Sequence, residues 1–514
     1  MKLLSTRLLT VVTLLSLVVI SFAQAPQSGF PVKRAESAEQ WRRDGWGAVE
    51  NAKRVKNIKG KAKNVILFIG DGMGVSTLTA ARIFEGQMRG ESGEENRLSF
   101  EDFPFSALSK TYSVNQQTSD SAPTMSAIIT GVKTEEGILS VDQRVQFNNF
   151  RTVKGNDTKT LLEYSEESGR STGVVSTARL THATPGACYA HTASRDWESD
   201  ADIFTRSKDA YEAKFPDIAR QLIEFPYGDG LEVVIGGGRS KFLPKETVDP
   251  EYPAKTGERL DSRDLTREWT NKSKDSAYVW NKSQFDAIDT KRTKHLLGLF
   301  EPSHMKYEHD RLKDPTEEPS LADMTSRAID ILSNNKKGYF LMVEGGRIDH
   351  AHHDGNAYRA LRDTVALSDA VRKAASKVDL SETLIIVTAD HSHTMFIQGY
   401  PARGNDILGL VREIGNNGEL EPNYKLDRDK KPYTTLGYAN GPGARRAERP
   451  ALTDEQVRDP NYLQESNIPF TSETHGGEDV AIFAIGVNAH LIRGSMEENW
   501  IFYVMADAMR LARK

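Results

Sequence analysis

Asn64-Val-Ile-Leu-Phe-Ile-Gly-Asp71 is a short apolar run, without period-two alternation, closed by a glycine and a carboxylate. Tyr339-Phe-Leu-Met-Val-Glu344 repeats the arrangement, and Thr383-Leu-Ile-Ile-Val-Thr-Ala-Asp390-His391 repeats it again. Runs of this length, rich in Val, Ile and Phe, read as strands buried on both faces, as in a parallel sheet. Ligands of open α/β sheets bind beyond the carboxyl ends of the strands, where these three groups converge. Several carboxylates at one rim repel one another unless cations neutralise them. The pattern therefore predicts a metal site.

Further strands are expected at Gly173-Val-Val-Ser-Thr177, Val233-Val-Ile-Gly236 and Ala481-Ile-Phe-Ala-Ile-Gly486. Helices are expected over Val75 to Glu85, Pro123 to Ile129 and Ala357 to Val378. This alternation predicts an α/β fold, doubly wound, with a large mostly parallel central sheet and helices on both faces. With 514 residues, 38% hydrophobic and 27% charged, the chain can bury a large core. Residues 26–514 read as a single domain. Within it, 396–470 is rich in Gly, Pro, Asn, Arg and Lys, lies between two site segments, and predicts a surface insertion rather than more sheet. A net charge of −5 with no basic stripe argues against a nucleic-acid partner.

Lys2 and Arg7 precede the apolar stretch Leu8 to Ile20, and Ala23-Gln-Ala25 follows with small residues where signal peptidase reads. Residues 1–25 are expected to be a cleaved export signal, placing the product in a bacterial periplasm or outside the cell. No second apolar run of spanning length exists, and the last ten residues lack the hydrophobic tail of a lipid-anchor signal, so no membrane anchor is expected. Cys188 is the only cysteine, so no internal disulfide can form. An exported protein without disulfides relies on its core and on bound metals for stability.

In Gly346-Arg-Ile-Asp349-His350-Ala-His352-His353-Asp354, Asp349 and His353 stand four apart, which on a helix puts both on one face. Oxygen and imidazole together suit zinc, and three protein ligands with an open position is the usual catalytic arrangement. Thr474-His475-Gly-Gly477 offers the third ligand. Asp390-His391-Ser-His393 is a second cluster, which Asp71 from another strand can complete; Gly70, Gly72 and Gly74 predict a tight turn that exposes the Asp71 carboxylate. In Ser119-Asp-Ser121-Ala-Pro-Thr-Met, Pro123 and the apolar residues after it put Ser121 near a helix N-terminus. Serine there is a favoured cap. It is also a candidate nucleophile, since the helix N-terminus attracts phosphate and a coordinated cation lowers the hydroxyl pKa.

Together these segments resemble the alkaline phosphatase family, dimeric phosphomonoesterases with two zinc ions and one magnesium. The likeness runs from Val65-Ile-Leu-Phe-Ile-Gly-Asp-Gly-Met-Gly74 to Phe502, through Leu180-Thr-His-Ala-Thr-Pro-Gly-Ala-Cys-Tyr-Ala-His-Thr-Ala-Ser-Arg195 and Gly298-Leu-Phe-Glu-Pro302. It implies Asp349, His353 and His475 as ligands of the first zinc, and Asp71, Asp390 and His391 as those of the second. Asp71, Thr184 and Glu344 would hold magnesium. Arg195 resembles the family's phosphate clamp; by itself, beside Asp196, it reads as half of a surface ion pair. His182 and His350 follow the animal type of the family, with indirect phosphate or water contacts expected. That type also has a calcium-like fourth site, matched by Glu251, the carbonyl of Phe300, Glu301 and Glu318; Glu318 stands where an aspartate is usual. The insertion corresponds to the family's crown, which contributes to the homodimer interface. The implied reaction is in-line attack by Ser121 on a small-molecule phosphate monoester, a phosphoserine intermediate, and release of an alcohol and inorganic phosphate.

Three rivals fit less well. A sulfatase of the superfamily needs an arginine at a set distance after its nucleophile, where Ser121-Ala-Pro-Thr-Met125 has none. A related phosphodiesterase uses threonine and lacks the third metal with its Glu344 and Thr184. A non-catalytic phosphate- or metal-binding protein has no support in a sequence that keeps every expected ligand.

Overall fold

A computed structural model describes residues 37–314, 317–444 and 448–511. The expected export signal lies outside the described residues. Ten strands form the central sheet: β1 (Asn64–Gly70), β2 (Phe105–Lys110), β3 (Ser171–Arg179), β4 (Val233–Gly237), β5 (Ser276–Val279), β6 (His295–Leu299), β7 (Tyr339–Gly345), β8 (Thr383–Ala389), β9 (Val480–Gly486) and β10 (Ser495–Glu497). Their order across the sheet is β10-β2-β9-β8-β1-β7-β3-β4-β6-β5. β1 lies between β7 and β8, parallel to both. Only β9 runs against its neighbours, antiparallel to β8 and β2.

Every residue of β1, β7 and β8 is buried, the outcome expected of runs without alternation. Successive side chains of a strand point to opposite faces. Val65, Leu67 and Ile69 accordingly join one core and Ile66 and Phe68 the other. The helices used below are α1 (Ala38–Arg54), α2 (Val75–Met88), α3 (Ser121–Thr130), α4 (Leu321–Leu332), α5 (Arg347–His353), α6 (Ala357–Lys377) and α7 (Trp500–Met509). α3 and α7 cover the first core; α2, α4 and α6 cover the second. This is the α/β architecture the sequence predicts. The stretch 396–470 contributes nothing to the central sheet. Leu436–Gly441 pairs instead with Met395–Ile397 and Ser466–Pro469 in a separate three-stranded sheet, beside a small apolar cluster of Leu410, Leu452 and Val457.

α6 buries one carboxylate away from the site. Asp363 accepts the Glu308 backbone N–H at 3.2 Å, and burial pushes its carboxyl from 3.8 up to about 8. A carboxyl raised by folding holds its proton more tightly in the native state than in the unfolded one. Its contribution to stability is therefore complete below about pH 4 and is lost progressively as pH rises to about 8. Asp363→Asn keeps the acceptor without the charge. Thermal denaturation should find it equal to wild type near pH 4 and increasingly more stable towards pH 9.

Candidate metal centre

Five of the expected ligands are delivered from the ends of the three central strands. Asp71 follows β1, Glu344 lies in β7, Asp390 and His391 follow β8, and α5, which opens just after β7, carries Asp349. α5 also aligns His353 with Asp349, at 3.4 Å between Nε2 and Oδ1. His475 reaches the same rim through a two-residue pairing of His475–Gly476 with Ser392–His393. Asp71 is fully buried rather than exposed. The glycine turn serves a different end: Gly72 has φ +67°, and a Cβ there would meet the His393 ring at 2.3 Å.

Three adjacent sets result, two of which share Asp71. Asp349, His353 and His475 converge with His393, which sequence reading had placed only in the neighbouring cluster. His475 Nε2 lies 3.1 Å from His353 Nε2 and 3.4 Å from Asp349 Oδ1. Asp71, Asp390 and His391 form the second set, and Asp71 is shared with a third, beside Glu344 and His182. Thr184 sits on the turn Ala183–Gly186 with its hydroxyl buried and unpartnered. The rings of His391 and His475, one from each zinc-type set, stack at 3.7 Å.

Each imidazole expected to ligate is held by its far nitrogen. His475 Nδ1 meets the Ser119 carbonyl at 2.8 Å, His353 Nδ1 the Glu473 carbonyl at 2.6 Å, and His391 Nδ1 the Ser392 carbonyl at 3.4 Å. A carbonyl accepts only, so these contacts place the proton on Nδ1 and turn an Nε2 lone pair inward, as metal-binding histidines require.

The donor set fits cations. Asp71 Oδ2, Asp390 Oδ2, Glu344 Oε1 and Thr184 Oγ1 are all buried without a hydrogen-bond partner, an arrangement costly for a protein that binds nothing there. Burial, then Asp390, Asp349 and Glu344, pushes the Asp71 carboxyl well above its usual range. Burial raises Glu344 to about 7 and pushes His391 down to about 4. Imidazole with carboxylate suits zinc at the first two sets, and an oxygen-rich set with a threonine hydroxyl suits magnesium at the third.

Ser121 opens α3, but it is not the cap. Asp120 holds that position and accepts the Ser121 N–H at 2.6 Å. The serine hydroxyl thereby faces two of the candidate ligands, 3.2 Å from His391 Nε2 and 3.4 Å from Asp71 Oδ1. Asp120 also pairs with Arg195. Although burial opposes its ionisation, Arg195 holds the Asp120 carboxyl well below the carboxylate range. Arg195 is therefore no partner of Asp196, which pairs with Arg206 at 2.9 Å. Its guanidinium also reaches His182 Nε2 at 3.1 Å. Desolvation, with Arg195 and Arg179 beside it, pushes the His182 ring down to about 3. His350 packs against His304, which the sequence reading missed, with ring centroids 4.0 Å apart. Asp120, Arg195, His182, His350, His353 and His475 all line one cavity of about 830 Å³.

The four calcium-type residues are not gathered in the same way. Glu251 turns to Arg239, 2.8 Å away. Glu301 accepts from Tyr252 Oη at 2.7 Å and pairs with Lys306. The Lys306 ammonium also lies 2.5 Å from Asp314 and 3.9 Å from Glu318, whose carboxyl burial pushes up to about 8. Phe300 follows β6, its N–H donating to the Gly236 carbonyl at 2.9 Å. A calcium ion here has to displace the lysine, so the set as folded does not fit it.

Buried carboxylates and inward-facing imidazoles at the rim of a parallel sheet, with a serine and an arginine over them, define a metal-dependent hydrolase of anionic esters. The alkaline phosphatase family model matches residues 62–511. An alkaline phosphatase of Gadus morhua is 43% identical over 490 residues, covering 94% of this chain and 98% of the relative. The tissue-nonspecific isozyme of Rattus norvegicus is 41% identical over 504 residues, covering 96% and 93%. The chain belongs to the alkaline phosphatase family. The fold is shared by the Thermus thermophilus alkaline phosphatase, at TM-score 0.63 and 22% identity over 90% of this chain and 94% of that one. It is shared too by the enzyme of the Antarctic bacterium TAB5, at TM-score 0.59 and 20% identity over 88% and 100%. A variant of the latter has Mg bound in its M3 site.

Proposed function

We propose that this alkaline phosphatase cleaves small-molecule phosphate monoesters through a phosphoserine on Ser121, with one zinc held by Asp349, His353 and His475, a second by Asp71, Asp390 and His391, and magnesium by Asp71, Thr184 and Glu344. The observation that carries the reading is the position of Ser121 Oγ, between His391 Nε2 and Asp71 Oδ1 at the N-terminus of α3. When bound, the cations neutralise the carboxylates and stabilise charge on the attacking and leaving oxygens. The chain's own groups do the rest. The Arg195 fork faces a phosphate's non-bridging oxygens, with the N-terminus of α3 beside it. Asp120, the residue before Ser121, fixes that fork by pairing with it. His182 and His350 line the far wall, where they hold water or phosphate without ligating metal.

Export after cleavage at Ala25 and a homodimer complete the proposal, with 26–514 as one unit and 396–470 as its crown-like insertion. Among the described residues no helix is long and apolar enough to cross a membrane. α1 buries none of its side chains and leaves Trp41 and Trp46 exposed, which favours a partner subunit; sedimentation of the mature chain tests that.

The deciding experiment is hydrolysis of p-nitrophenyl phosphate at alkaline pH, before and after chelation. Activity should fall to background with chelator and return only when zinc and magnesium are both supplied. No hydrolysis by folded, metal-replete protein overturns the reading.

A further inference from the structure

We infer that Glu473 is a positioning residue that orients two ligands of the first metal set at once: His353 through its backbone carbonyl, and Asp349 through its carboxylate by way of His393. The inference rests on the reading of Asp349, His353 and His475 as a metal site.

The geometry is continuous. The Glu473 carbonyl accepts from His353 Nδ1 at 2.6 Å, and the Glu473 N–H donates back to the His353 carbonyl at 2.9 Å. The side chain runs the other way. Its Oε2 accepts from His393 Nδ1 at 2.6 Å, and His393 Nε2 reaches Asp349 Oδ1 at 2.8 Å. Oε1 is held in turn by the Thr394 backbone N–H at 2.6 Å and by the Thr394 hydroxyl at 2.5 Å. Both acceptor oxygens of Glu473 are therefore committed. Glu473 and His393 are almost completely buried, so water does not compete for these bonds.

His393 is built into the fold independently of any metal. It pairs with His475, the third ligand, across the two short strands, and the Gly72 turn leaves room for nothing larger than hydrogen beside its ring. Among the described residues, only Glu473 touches the far side of that ring with a carboxylate. A glutamine offers one acceptor oxygen where two are in use, so Glu473→Gln either loses Thr394 or turns its NH2 to His393 Nδ1, which removes the carboxylate opposite the ring that faces Asp349. The His353 contact, being to the backbone, survives the exchange. The damage should then fall on Asp349 alone.

The test compares wild type, E473Q and E473D, each loaded with zinc and magnesium, by the rate of zinc release to a chromophoric chelator at fixed pH. A cobalt-substituted sample of each supplies a visible spectrum that reports the ligand geometry. Outer-shell partners of metal ligands typically carry 10–100-fold in affinity. One zinc per chain should leave E473Q about 10–100-fold faster than wild type, with an altered cobalt spectrum, while the other zinc is released at the wild-type rate. E473D, which keeps both oxygens one methylene back, should fall between the two; it carries the test if E473Q does not fold. Wild-type release rates and spectra in these variants overturn the inference while leaving the metal site standing. A wild-type protein that takes up no zinc or cobalt overturns the metal site itself, and the inference with it.

Discussion

Ser121→Ala should retain its full metal complement and lose turnover by on the order of 10³-fold or more, as nucleophile deletions do. The structure says why the two effects separate. Asp120, not Ser121, caps α3, so alanine at the first helical position forfeits no capping bond and suits a helix well. The second set keeps Asp71, Asp390 and His391 without Ser121, so the acidic and imidazole ligands keep their places. What disappears is the oxygen beside His391 and Asp71. Metal content by atomic spectroscopy, read beside steady-state hydrolysis, checks both halves. Turnover within tenfold of wild type would rule out the phosphoserine route, since alanine has no oxygen on which the phosphoester could form.

Asp71→Asn should be nearly as damaging, for a different reason. Asp71 is the one residue common to the second and third sets, so its loss weakens two sites together. The effect on metal retention should exceed the roughly 10–100-fold expected of an outer-shell partner. The metal-free protein should respond in the opposite direction. Asp71 is a buried carboxyl among Asp390, Asp349 and Glu344, a repulsion that only cations relieve. Calorimetry should therefore find the metal-free variant at least as stable as metal-free wild type, with most of the stabilisation by added zinc and magnesium gone. A variant that is destabilised equally with and without metals would show that Asp71 serves packing rather than ligation.

The central strands were legible because burial on both faces writes itself as unbroken Val, Ile, Leu and Phe. β2 escaped the sequence reading because only two of its six residues are buried, and β5 because it is short and half-exposed. β9 was found as a strand, yet nothing local to it announces that it runs backwards. In the site, Asp71, Asp349, His353, Asp390 and His391 carry their meaning in their spacing and at strand ends. Arg195 was assigned by resemblance alone; its partner proves to be Asp120, 75 positions earlier (195 − 120), a pairing no local pattern encodes. His393 was seen but placed with the wrong neighbours, since an Asp-His-Ser-His run does not say which way each ring turns. Glu473 passed unnoticed because a glutamate beside a histidine looks like any solvated surface pair.

The reversed direction of β9 has a consequence for how the enzyme is made. In a sheet of strictly parallel strands, only chain that follows a strand reaches the rim where Asp71 and Asp390 sit. Because β9 is antiparallel to β8, it is the chain preceding it that arrives there, and that chain brings Glu473 and His475. The first set thus stays incomplete until residue 475 of 514 has been synthesised. A nascent or truncated chain lacking that segment can form β1, β7 and β8 and still lack a ligand. Loading of the first set is thereby deferred until that segment has been made.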